Sequence, residues 1–160
     1  MENNYAFIDS HNLYLNIRSQ GWSLDFFKFR VYLKEKYNVT KAYMFIGYIE
    51  SNSKLYSTLR RAGFECVFKP TTIQKDGVVK GNCDVELTLK VLIDLDNYEK
   101  AVVITGDGDF LVLIKYLIIK NKLKSLIIPN SHSFSSLYRN KNLDPYLRFI
   151  DPLKEKLKYK

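Results

Sequence analysis

AVVITGDGDF, Ala101 to Phe110, joins an unbroken apolar run to a Gly-Asp-Gly-Asp turn. Its first five residues show no polar alternation, as expected of a strand buried on both faces, and such burial is typical of parallel sheets. The turn that follows places two carboxylates just beyond the strand's end. In open parallel sheets ligands bind outside the carboxyl ends of the strands, where the strand order reverses. This one segment therefore predicts a buried parallel strand and an acidic site at its tip.

The same arrangement stands at the start of the chain, where Tyr5 to Ile8 is an apolar run that ends on Asp9. Between and after these two strands the pattern alternates. A short helix is expected over Asn12 to Arg18, and a second from a Ser23 cap to about Lys36, with Phe26, Phe27, Val31 and Leu33 among its apolar positions. Ala42 to Ile49 reads as strand two, Ser53 to Ala62 as a helix stopped by Gly63, and Glu65 to Phe68 as strand three. A polar, basic loop runs from Lys69 to Lys80 and includes Lys75; the apolar helix Cys83 to Leu95 follows it. Ala101 to Thr105 is then strand four, Asp109 to Lys120 a helix, Ser125 to Ile128 strand five, Ser133 to Arg139 a helix, and Tyr146 to Ile150 a sixth strand. Strands alternating with helices imply right-handed crossovers, hence a three-layer α/β/α Rossmann-like sandwich with a mainly parallel sheet. The expected order is 3-2-1-4-5, because that order brings Asp9 beside Asp107.

Alternate residues of an extended segment point the same way, roughly 6.5 Å apart. Asp107 and Asp109 can thus converge on Asp9, and Asp84 can join them from the first turn of its helix, where the helix dipole favours an anion. Like charges that close repel, and burying them uncompensated is costly. A hard divalent cation with oxygen ligands removes the conflict, so the cluster points to Mg²⁺ or Mn²⁺ and to phosphate chemistry. The bland alternative is that Asp9 and Asp109 are helix caps and Asp107 a turn residue. Each residue alone is more often that; four at one sheet edge are harder to dismiss.

Composition narrows the field. A chain of 160 residues, 46% apolar, suits one domain with a sizeable core. The formal net charge of +8 favours a nucleic-acid partner. Part of it sits in a basic end, residues 153–160, which carries Lys154, Lys156, Lys158 and Lys160 against Glu155. Cys66 and Cys83 form no CxxC and have no His at zinc spacing, so free thiols in a reducing compartment are expected. Met1-Glu2-Asn3-Asn4 has no basic n-region and no apolar run follows, and no stretch is long enough to span a membrane, so the expected home is the cytoplasm. Gly106-Asp107-Gly108 does not extend to GxGxxG, no GxxxxGK[ST] occurs, and an EF-hand frame starting at Asp107 ends on Ile118 instead of Glu. His11 and His132, the two histidines, have no triad motif around them.

Three blocks carry a more specific likeness. FIDSHN (Phe7 to Asn12), KGNCDVEL (Lys80 to Leu87) and ITGDGDF (Ile104 to Phe110) resemble the signature blocks of the NYN domain, in its bacterial LabA-like branch of the PIN-like nuclease superfamily. The likeness runs in order and at fitting spacing from Tyr5 to about Asp151, and it sets residues 1–152 as the domain and 153–160 as a basic tail. It implies a metal-dependent endoribonuclease that hydrolyses RNA phosphodiester bonds with Mg²⁺ or Mn²⁺. By matched position Asp9, Asp84, Asp107 and Asp109 would be the acidic metal-binding cluster. Asn12 would orient a ligand or water, Thr105 would stand beside the site, and Lys80, with Lys69 and Lys75 of the same loop, would meet substrate phosphates. Two positions depart from the family pattern. Gly108 stands where Ser is common, which removes one hydroxyl, and Cys83 stands where an aliphatic residue is usual, a mild change because free Cys packs like a small hydrophobe. RNA is the expected partner, with single-stranded DNA second; a homodimer stays open.

Two rivals remain. One is a nucleic-acid-binding or scaffolding module that keeps the fold with weak catalysis, since fold alone does not separate it from an enzyme. The intact cluster speaks against it. The other, a metal-dependent phosphatase on a similar sheet, is weaker because strand one lacks Asp-x-Asp: position 11 is His11.

Overall fold

The computed structural model of the chain describes residues 2–70 and 82–160, together with the backbone of 72–73 and 79–80. The elements run β1 (Asn4–Asp9), α1 (Ser10–Arg18), α2 (Phe26–Tyr37), β2 (Val39–Tyr48), α3 (Ser53–Ala62), β3 (Phe64–Pro70), β4 (Thr72–Ile73) and β5 (Val79–Lys80). They continue with α4 (Asp84–Ile93), β6 (Ala101–Ile104), α5 (Leu111–Ile119), β7 (Leu123–Ile128), β8 (Leu147–Phe149) and α6 (Lys154–Leu157). Six strands form one parallel sheet in the order β3-β2-β1-β6-β7-β8. The expected 3-2-1-4-5 order is present, with the sixth strand added at the edge. β4 and β5 pair antiparallel as a separate two-stranded ribbon within the Lys69–Lys80 loop; Lys75 lies outside the described residues.

Each central strand is buried on both sides, so its side chains divide between two cores. Ala6, Ile8, Met44, Val102 and Ile104 face one core, which α1, α2 and α3 cover through residues such as Leu13, Ile17, Phe29, Leu33, Tyr56 and Leu59. Tyr5, Phe7, Tyr43, Phe45 and Val103 face the other, where α4 and α5 contribute Leu87, Val91, Leu113, Ile114 and Leu117. The period of two along each strand therefore builds the three layers. On the second face, Phe7 stacks on Tyr43 at 5.7 Å between ring centroids, an arrangement that adds about 0.5–1.5 kcal/mol beyond area burial.

The chain order places the site. After β3 at one edge, the chain crosses to the opposite face through α4 and returns as β6 beside β1. The strand order thus reverses between β1 and β6. Ile8 pairs with Ile104 across this seam, so the next residues, Asp9 and Thr105, stand level at the carboxyl edge.

Local chemistry explains the boundaries, and several differ from the sequence expectation. The cap of α2 is Asp25, whose Oδ1 accepts from the backbone N–H groups of Phe27 and Lys28; Ser23 instead precedes the helix, and its carbonyl accepts from Tyr159 N. The buried face of α2 is Phe29, Leu33 and Tyr37, while Phe27 and Val31 are exposed. Gly63 stops α3 with a φ of 102°, which a residue without Cβ adopts freely. The helix expected over Ser133 to Arg139 is one 3₁₀ turn, Ser136–Tyr138.

The basic C-terminal segment is not a solvated end. Leu157 is fully buried in the core of α1, α2 and α3. Its carbonyl accepts from Asp25 N, and Leu24 and Lys158 form an antiparallel bridge. Leu157 ends the single turn of α6 and faces inward, while Lys156 and Lys160 remain at the surface.

Candidate metal centre and substrate groove

Three carboxylates meet at the β1–β6 seam. Asp9 is the last residue of β1, Asp84 the first residue of α4, and Asp107 lies three residues past β6. One oxygen from each lies within 4.8 Å of the others. Three separate elements therefore bring their charges to one point, and all three groups are half-buried.

Each carboxylate is held. Asp9 caps α1, accepting from Asn12 N at 3.3 Å, while its second oxygen accepts from Thr105 Oγ1 at 2.9 Å. Asp107 caps the 3₁₀ turn Gly108–Phe110 by accepting from Asp109 N at 2.9 Å. Asp84 N donates to Asn82 Oδ1 at 2.8 Å, which fixes the entry into α4. The capping explanation is thus true of Asp9, while at the second turn the cap is Asp107 and the expected cap Asp109 lies inside the turn; capping does not compete with a site. A cap uses one oxygen and orients the rest of the carboxylate.

Electrostatics show the strain that a cation would relieve. Burial pushes the Asp9 carboxyl above its ordinary value, against the Thr105 and Asn12 hydrogen bonds, and the Asp107 charge adds to the rise. Burial likewise raises Asp84, with Asp9, Asp107 and Asp109 adding repulsion. An all-oxygen donor set of like charges fits a hard divalent ion and disfavours soft metals.

The remaining expected site residues fall into different places. Asp109 is exposed, lines the groove described below and lies outside the close trio, near enough to raise Asp84. Asn12 Oδ1 accepts from Gly106 N at 2.8 Å, so its amide ties α1 to the turn after β6. Thr105, expected beside the substrate, is fully buried. Its hydroxyl donates to Asp9 and accepts from Asp107 N at 3.1 Å, so it positions two carboxylates and does not reach the surface. Lys69 donates to Asn82 O at 2.7 Å and pairs with Glu86 at 3.6 Å. Its ammonium braces the loop before α4. Lys80 contributes backbone to β5.

Residues without a sequence signal complete the site. Tyr138 is fully buried, and its hydroxyl donates to Asp107 O at 2.5 Å; burial first, and then the nearby carboxylates, push its phenol up, so it stays a donor. Gly108 has a specific reason to lack a side chain. A Cβ there would meet Ser135 Oγ and would lie 2.9 Å from Ser135 Cβ. The Ser135 hydroxyl, delivered from the β7–β8 connection, stands where a residue-108 side chain would begin. Ser135 N also donates to Gly106 O at 3.0 Å, which locks that connection to the acidic turn.

A groove of about 520 Å³ opens from this turn, lined by Asn12, Asn16, Asp107, Asp109, His132 and Phe134 among others. Phe134 is also a wall of a second concavity of about 460 Å³, which adds Arg139, Lys141, Asp144, Leu147 and Phe149. There the Arg139 guanidinium lies over the Phe134 ring, 4.4 Å from its centroid, and the Phe134 and Phe149 rings are 5.7 Å apart. An acidic trough thus continues into a basic and aromatic one.

The fold is shared with a Vibrio parahaemolyticus protein of unknown function whose crystal structure superposes with a TM-score of 0.80 at 21% identity, over 99% of this chain and 96% of that one. No protein of curated function matches the chain. The NYN domain, a PIN-like nuclease family, matches residues 5–143, a span that holds the β1–β6 seam, all four aspartates and the groove wall. With that span and this geometry, the chain belongs to the NYN domain family.

Proposed function

We propose that the protein is a metal-dependent endoribonuclease that hydrolyses phosphodiester bonds of single-stranded RNA in the groove beside Asp107. The observation that carries this reading is the convergence of Asp9, Asp84 and Asp107, from three elements, within 4.8 Å at the strand-order reversal. The donor set suits Mg²⁺ or Mn²⁺, which when bound would polarise the phosphodiester and activate water. Asp9, Asp84 and Asp107 hold the ion. Thr105 and Asn12 keep two of those carboxylates and the Gly106 turn in register. Asp109, on the groove wall, accepts hydrogen bonds from the attacking water and steers it toward phosphorus.

The second concavity takes the flanking nucleotide. The Phe134–Arg139 stack offers a planar cation for a base or phosphate, and Lys141 adds charge. Such contacts ask for unpaired bases, which supports single-stranded substrate. The test is cleavage of a generic single-stranded RNA with Mn²⁺, Mg²⁺ or chelator, for wild type and Asp107→Asn. Metal-dependent cleavage abolished by the substitution supports the assignment; equal cleavage by both proteins, or none by either, refutes it.

A further inference from the structure

α4 and α5 are apolar on the side that faces away from the sheet. α4 buries Leu87 and Val91 inward, yet Val85, Leu89 and Ile93 are 64%, 52% and 71% exposed. α5 buries Leu113, Ile114 and Leu117, yet Val112 and Ile119 are 80% and 81% exposed, with Tyr116 between them. The outer residues recur at i, i+4 and i+8 on α4 and at i, i+4 and i+7 on α5, so each helix carries a second apolar stripe opposite the first. A helix that is apolar all round is one expected to be covered on all sides.

The two stripes are neighbours. α4 packs over β1 and α5 over β7, on the same face of the sheet. β1 and β7 are separated by β6 alone, a spacing of about 9.6 Å, which matches the 8–10 Å between packed helices. At these exposures the side chains of the two neighbouring stripes together present on the order of several hundred Å², comparable to the largest apolar patch usual on a monomer. That area approaches the roughly 800 Å² per partner that a stable interface buries.

We infer that this α4–α5 face is a two-fold interface between copies of the chain. Phosphates cannot use it, because Lys115 is the single charged side chain within the α5 stripe and its flexible stem can carry the ammonium to a rim. In a closed pair the same patch meets itself, so an uncharged surface is self-complementary without any charge pattern. Permanent homodimer interfaces are also the most apolar class. A chain of net charge +8 can meet its own copy here with Lys115 as the one α5-stripe lysine to be turned to the rim. The stripe begins at Val85, next to Asp84, so one end of the interface borders the acidic cluster; the inference itself is independent of the nuclease reading.

The test is the mass of the whole chain in solution, by sedimentation equilibrium over a concentration series. The wild type should reach twice 18.8 kDa at micromolar concentration. Val112→Glu/Ile119→Glu and, separately, Ile93→Glu should weaken self-association at least about a hundredfold with the far-ultraviolet circular dichroism unchanged, because these side chains are exposed in the single chain. Val31→Glu, exposed on α2 across the sheet, should stay dimeric. A wild type that stays at 18.8 kDa up to about 100 µM, or variants of this face that dimerise as the wild type does, would overturn the inference.

Discussion

Asp107 is the residue at which a cap and a ligand predict different results. If it only capped the 3₁₀ turn, Asp107→Asn would leave both stability and hydrolysis nearly unchanged, because an Asn side chain caps as well as an Asp. As a ligand its loss should lower turnover at least about a hundredfold, abolish the rise of melting temperature on adding Mn²⁺, and leave metal-free stability level or higher. The sign follows from the neighbours. Asp9 and Asp84 have folded-state affinities for protons raised above the ordinary 3.8. A raised carboxylate favours the fold below its unfolded value, and that contribution is lost as pH rises through the folded value. The metal-free protein should therefore gain stability from these groups as pH falls from neutral toward about 4, while the Mn²⁺-induced shift grows as pH rises. Thermal melts from pH 4.5 to 8, with and without Mn²⁺, check both slopes, and in Asp107→Asn the metal-free slope should flatten. Gly108 gives a second test at this scale. Gly108→Ser alone collides with Ser135 and should destabilise by about 1–3 kcal/mol, whereas Gly108→Ser with Ser135→Gly should recover most of the loss in a urea titration. Non-recovery would show that the two positions do not share one space.

At the level of elements, what the sequence made legible was whatever had an unambiguous period or a local chemical stop. The runs Tyr5–Ile8 and Ala101–Ile104 could only be doubly buried strands, and two such strands ending in Asp gave the seam and its acid. Gly63 marked the end of α3. What was hidden depended on partners far away in sequence. Tyr138 reaches Asp107 across 31 residues, and Ser135 answers a missing side chain at Gly108; neither pairing leaves a trace in either segment alone. The basic end reads as a tail for the same reason, since four lysines outweigh two leucines in composition while Leu157, with Leu153 beside it, decides the packing. Leu157→Ala should then cost about 2–5 kcal/mol, and removal of residues 153–160 at least as much, by urea denaturation. Turnover per folded molecule should hold in both, because no carboxylate of the acidic cluster and no groove residue lies in that segment. A deletion that left the stability unchanged would contradict the docked arrangement.

For the molecule as a whole, the proposed reaction asks charge and shape to act together on a strand of RNA. A net charge of +8 attracts any polyanion, yet the proposed chemistry sits among carboxylates that repel one. The conflict is resolved if the strand is gripped to one side of the acid and only a single phosphate is led to it. The Phe134–Arg139 trough is placed for that grip, since it shares Phe134 with the acidic groove. Stacking and charge leave different signatures in salt. Phosphate contacts to single strands lower log K by about 0.7 per contact for each tenfold rise in salt, whereas base stacking, worth about 1–3 kcal/mol per base, persists. Measured by fluorescence anisotropy with the non-cleaving Asp107→Asn protein, Lys141→Ala should lower the salt slope by about 0.7 and lose little affinity at high salt. Arg139→Ala should weaken binding about fivefold or more at low salt, and part of that loss should survive at high salt because the stacked plane has gone as well. Arg139→Lys keeps the charge without the plane, so it should restore the slope but not the salt-resistant part. If Arg139→Lys bound as the wild type does at every salt concentration, the trough would be a charge contact alone, and the preference for unpaired bases would have to come from elsewhere in the groove.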